Sequence, residues 1–147
     1  ALQTTRQGGH RMAINIQWDN KFEVGHERID FEHRIFLGLI RDLSLEAERN
    51  PQSPRVTRML LEIHKYAEFH FLSEENIMLD VGYPHLVEHQ RVHKRILNQL
   101  DDKIHQYQHQ GIHDSAEDIV TFMFEWFALH TTSEDKRIAE FIRATTT

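Results

Sequence analysis

The chain has no cysteine, which excludes disulfides and thiolate metal ligands together. Positive charge is in deficit: 17 Lys and Arg stand against 23 Asp and Glu, for a net charge of −6. That balance argues against nucleic acid or an anionic membrane as the main partner, because both select basic surfaces. No apolar run approaches the roughly 18 residues that a membrane span requires. The first residues, ALQTTRQGGHRMA, have no apolar centre and do not read as a signal peptide. With no cysteine to oxidise, a cytoplasmic location is expected. No hairpin signal occurs, and the 3 prolines sit between apolar-periodic segments.

Histidine is in excess, at 12 residues in 147. Composition does not separate surface histidines from a metal site, but spacing does. His33 stands alone, then come His70 and Glu74, His89 and His93, and finally His130 and Asp135. Five imidazoles and two carboxylates suit a two-metal site, and without thiolate they suit iron, manganese or zinc.

The length fits one domain, since about 150 residues bury roughly 70% of their unfolded surface. Residues 1–16 read as a polar arm, 17–144 as the domain and 145–147 as a tail. Within the domain the pattern predicts four long helices. The first runs from about Asp30 to Arg49, with Ile29, Phe36, Ile40, Leu43 and His33 in one stripe. Asn50-Pro51-Gln52-Ser53-Pro54 ends it. The second runs from Pro54 or Arg55 to about Asp80, with Gly82 as its C-terminal cap. Pro84 suits the first turn of the third, which carries Leu86, His89, His93, Ile96 and Leu100. Gln110-Gly111 breaks it. Asp114 or Ser115 caps the fourth, with Glu117 completing a capping box if Asp114 is the cap. Short connections make sequential helices antiparallel neighbours. The expected fold is all-α, an up-down-up-down antiparallel four-helix bundle with a short N-terminal arm.

Residues four apart on a helix differ by about 40° in direction and share a face. His70/Glu74 and His89/His93 therefore each present two groups side by side, inside apolar stripes. His33 and His130 lie in the stripes of their own helices, at compatible depth. Burying so many ionisable groups unpartnered would cost several kcal/mol each, a penalty that a metal pair removes. His130 and Asp135 are five apart, so an ideal helix would separate them by about 140°. Asp135 can join the site only if a π-type bulge or local unwinding intervenes. His85, His89 and His93 follow one another at four-residue steps, so spacing alone does not choose among them, although His85 follows Pro84 at the bundle end. His105, His109 and His113 repeat the spacing past the site's depth and read as surface residues, and His26 lies two turns from His33.

These residues resemble the hemerythrins, the bacterial ones above all. The order is His, His-x3-Glu, His-x3-His, His-x4-Asp. The local context is Ile29-Asp30-Phe31-Glu32-His33, His70-Phe71 before Glu74-Glu75, Gly82-Tyr83-Pro84 before Glu88-His89, and Glu125-Trp126-Phe127 before His130. Trp18 matches a tryptophan near the family's N-terminus, and the resemblance covers roughly residues 16–142. It implies two iron ions with an oxo or hydroxo bridge. His89, His93 and His130 would hold one and His33 and His70 the other, with Glu74 and Asp135 bridging. It implies reversible O2 binding rather than catalysis, as a carrier or as the sensory input of a larger protein, with a fused or docking signalling module as partner. A di-iron oxidase or peroxide-handling enzyme is the alternative. Phe71, Trp126 and Phe127 flank the candidate ligands and either line an apolar pocket, pack as ordinary core, or do both. Thr131 is placed near the O2 pocket, where the family usually has a bulky aliphatic. A hydroxyl there admits water and would hasten oxidation of the centre, an expectation that Thr131→Ile tests.

Overall fold

Local side chains set where each helix starts and stops. The computed structural model describes residues 15–109 and 115–145. Helix α1 spans Glu27–Arg49, α2 Pro54–Val81, α3 Leu86–His109 and α4 Ala116–His130. A π-helical turn, Thr131–Asp135, joins α4 to α5, Lys136–Thr145. A short 3-10 turn, Asn20–Phe22, precedes α1.

Helix α1 begins three residues before the expected Asp30. The reason is His26, whose Nδ1 accepts a hydrogen bond from the Ile29 amide at 3.3 Å and caps the helix. Ser53 caps α2 with Pro54 in its first turn, and Gly82 ends α2 in the left-handed conformation at φ 69°. A side chain with Cβ is disfavoured at that φ, so the glycine sets the stop. Pro84 falls two residues ahead of α3 rather than inside its first turn. Ser115 caps α4, and the reciprocal partner in its capping box is Asp118, not Glu117. Gln110-Gly111, His113, Asp114 and most of the polar arm lie outside the described residues.

The helices pack as a ring, α1 on α2, α2 on α3, α3 on α4 and α4 back on α1. This is the all-α, up-down four-helix bundle expected from the pattern. Its interior holds two apolar clusters. The larger includes Ile40, Leu43, Leu60, Ile63, Leu100 and Ile119. The smaller gathers Val24, Ile29, Met78, Tyr83, Ile138 and Ala139 at the other end. Asp30 ties the chain over this small end, accepting from the Val24 and Gly25 amides at 2.8 and 3.1 Å. Between the clusters lies a buried polar layer, crossed by α1, α2, α3 and α4.

Candidate metal centre

All seven predicted residues meet in that layer, and each is at most 5% exposed. Helix α1 brings His33, α2 brings His70 and Glu74, and α3 brings His89 and His93. Helix α4 brings His130, and the π turn brings Asp135. Glu74, His89, His93, His130 and Asp135 each place a donor atom within 4.8 Å of the others. So do His33, His70, Glu74 and Asp135.

The two carboxylates divide their oxygens between these groups. Glu74 Oε2 lies 3.4 Å from His33 Nε2 and 3.3 Å from His70 Nε2. Its Oε1 lies 3.2 Å from His89 Nε2 and 3.1 Å from His93 Nε2. Asp135 does the same: Oδ2 is 3.1 Å from His33 Nε2, while Oδ1 is 3.2 Å from His89 Nε2 and 3.1 Å from His130 Nε2. All five histidines thus turn the same nitrogen inward.

Several of these atoms approach without bonding to one another. Glu74 Oε2, His93 Nε2, His130 Nε2 and Asp135 Oδ1 are buried and make no hydrogen bond. Orphaned buried acceptors are rare and need an explanation. Donors at about 2.1 Å from one cation and at right angles to each other stand about 3 Å apart. The observed spacings match, so the donor set fits divalent cations of the imidazole and carboxylate class.

Without cations the layer is a mesh of ion pairs. Burial alone would lower the His70 pKa, but the nearby Glu74 charge and the hydrogen bond His70 gives to Glu32 outweigh it and push it up to about 10. His89 is likewise pushed up to about 9, its burial outweighed by Asp135 and Glu74. His33 is raised, against its burial, by the same two carboxylates. Burial pulls the other way on Glu74 and Asp135, and the facing histidines hold both below the usual carboxylate range.

The four expected pocket residues surround this layer. Phe71 stacks on His93 with ring centres 4.0 Å apart, and Trp126 stacks on His130 at 4.4 Å. Phe127 meets His33 edge-on at 5.4 Å, and Thr131 is buried in the π turn beside His130. Phe71 and Trp126 also wall a small cavity of about 10 Å³ with Phe36, Ala67, Ile96 and Met123. His85, His105 and His109 are exposed, as the sequence implied.

The sequence motifs gave no role to two further carboxylates, Glu32 and Glu75, which enter them only as neighbours of His33 and Glu74. Glu32 Oε1 accepts from His70 Nδ1 at 2.8 Å, and Glu75 Oε2 accepts from His93 Nδ1 at 2.9 Å. Glu32 also accepts from Ser73 Oγ at 2.9 Å and Arg28 Nε at 3.0 Å. Burial would raise the Glu32 pKa, but these three bonds lower it.

A four-helix bundle whose axis carries converging imidazoles and carboxylates is of the histidine-rich class able to hold metal ions. The family model described as Hemerythrin HHE cation binding domain matches residues 24–142. The chain belongs to the hemerythrin family. It is 26% identical to a bacteriohemerythrin of Stenotrophomonas maltophilia, over 90% of this chain and 84% of that protein. A bacteriohemerythrin of Clostridium acetobutylicum is 27% identical, over 81% of this chain and 95% of its own length. A myohemerythrin of Theromyzon tessulatum is 34% identical over a shorter stretch, 57% of this chain and 64% of that protein.

Proposed function

We propose that the seven residues hold two iron ions with an oxo or hydroxo group as a further bridge, and that the chain binds O2 reversibly there. In this reading it serves as an O2 carrier, or as the O2- or redox-sensing input of a larger signalling protein. The observation that carries the reading is the division of each carboxylate, one oxygen toward His33 and one toward the three-histidine group. Bridging two cations requires that division.

Iron held by these seven residues would supply the reversible redox chemistry that O2 binding draws on. The chain supplies unequal halves. His89, His93 and His130 offer three imidazoles, whereas His33 and His70 offer two, which leaves a place for a ligand. Aromatic rings exclude water on several sides: Phe71 covers His93, Trp126 covers His130 and Phe127 packs against His33. The neighbouring small cavity is apolar, suited to a small uncharged molecule rather than to water, which needs polar partners.

The test is to load the metal-free chain with ferrous iron anaerobically, count iron per chain, add O2 and follow the visible spectrum. Two irons per chain and a spectral change reversed by removing O2 support the reading. Immediate passage to a stable oxidised spectrum favours redox sensing or the di-iron oxidase alternative. Failure to take up iron overturns both.

A further inference from the structure

We propose that Glu32 and Glu75 are positioning residues, one for each half of the site, and that the two halves fill in a fixed order. The proposal rests on the two-cation reading and assigns roles to residues outside the seven.

Each of these carboxylates neighbours a site residue in sequence but serves a histidine on the next helix. Glu32 of α1 braces His70 of α2, and Glu75 of α2 braces His93 of α3. In both contacts the carboxylate accepts, so in the neutral imidazole that binds a cation Nδ1 carries the proton and the Nε2 lone pair is left facing the centre. A histidine fixed this way is oriented, held in the right tautomer and made a stronger donor.

The two braces differ in setting. Glu32 is 5% exposed and is itself held by Ser73 and Arg28. Glu75 stands at a surface groove of about 430 Å³ beside Gln90, Arg91 and Lys94. The halves differ too. His33 Nδ1 is buried with no hydrogen-bond partner, so only one histidine of the two-histidine half is braced through Nδ1.

The order of filling follows from donor number and charge. The three-histidine half assembles five donors and the other half four. A first cation gains most from five. A second must enter the poorer half, share carboxylates already engaged and meet the charge of the first. Glu32 therefore controls the second step, and Glu75 bears on the first.

The experiment uses the whole chain, freed of metal. His105→Ala and His109→Ala are built in to remove an exposed pair whose ring centres lie 4.3 Å apart. Co2+ is titrated and read by visible absorption and calorimetry. Two separable steps are expected. Glu32→Ala should weaken the second about tenfold to a hundredfold and leave the first unchanged. Glu75→Ala should weaken the first. Glu32→Gln keeps an acceptor for the Nδ1 proton and should restore most of the second step. Ser73→Ala, which loosens Glu32 without touching a histidine, should weaken the second step by less. In the Zn2+-loaded chain, the slowly exchanging His70 Nδ1 proton should be visible by NMR in wild type and Glu32→Gln, and lost in Glu32→Ala.

Two steps that Glu32→Ala weakens alike, or leaves alone, would overturn this proposal while the two-cation reading stands. So would a Gln variant no better than Ala. Uptake of a single Co2+ by the unaltered site would overturn the two-cation reading, and this proposal with it.

Discussion

His130 Nε2 lies 3.1 Å from Asp135 Oδ1, although five residues separate the two in the chain. The π turn makes this contact, because its wider winding returns the fifth residue to the side of the first. The widened turn draws on side chains for support. Thr132 Oγ1 donates to the Ala128 carbonyl at 2.8 Å, and Ser133 Oγ donates to the Leu129 carbonyl at 2.7 Å. Thr132→Val combined with Ser133→Ala should therefore destabilise the chain by about 0.5–1.5 kcal/mol per bond removed. Denaturant melts measure this, and an unchanged melt would mean that the turn does not need the hydroxyls.

Glu74 faces four histidines, so its loss should be felt on both sides of the layer. Glu74→Ala should abolish binding of the cation pair. In the metal-free chain it should cost about 3–5 kcal/mol, the usual penalty for stranding buried charge. Exposed His85 should be replaceable by Ala with no change in metal content. Metal analysis of the two purified variants decides; equal metal content would overturn the assignment.

The metal-free chain should lose stability as pH rises. His70 and His89 are raised from 6.5 to about 10 and about 9, so their ion pairs contribute fully below about pH 6.5 and fade as pH climbs through those values. Glu74 and Asp135 are lowered from 4.5 and 3.8, so their contribution is present above those values and lost as pH falls further. The metal-free optimum should lie between about pH 4.5 and 6.5. Cation uptake runs the other way, because the same histidines must release protons to bind. The gap in melting temperature between Zn2+-loaded and metal-free chain should widen from pH 6 to pH 9. A constant gap would contradict the assigned proton competition.

Thr131 is 1% exposed and sits directly after His130. Isoleucine would add bulk to a filled place, so valine is the cleaner replacement: it puts a methyl group where the hydroxyl stands, with little change in volume. If the hydroxyl admits water to the centre, Thr131→Val should lengthen the life of the oxygenated form severalfold. Stopped-flow decay of that form in air measures it. An unchanged lifetime would clear Thr131 of any part in autoxidation.

Saturating cation should also stabilise the fold by mass action, by about 2.7 kcal/mol at a hundredfold excess over the dissociation constant. A chelator should reverse this. A melting temperature indifferent to both would show that the buried layer does not take up the cation.

The sequence by itself determined the four helices, the shared face of His70 and Glu74 and the misphasing of His130 and Asp135, while the choice of His89 and His93 over His85 came from the family pattern. The first three are local matters: a helix repeats every 3.6 residues, so the face of His70 and Glu74, or the misphasing of Asp135, is written in spacing along one segment. Caps were less legible. His26 starts α1 early, and Ser115 pairs with Asp118, because several adjacent polar residues compete for one cap and geometry selects among them. Only the tertiary structure decided which oxygen of Glu74 faces which histidine, and that Glu32 and Glu75 reach across to His70 and His93. Those contacts depend on how far one helix is turned and slid against the next, and neither helix's own periodicity records that offset.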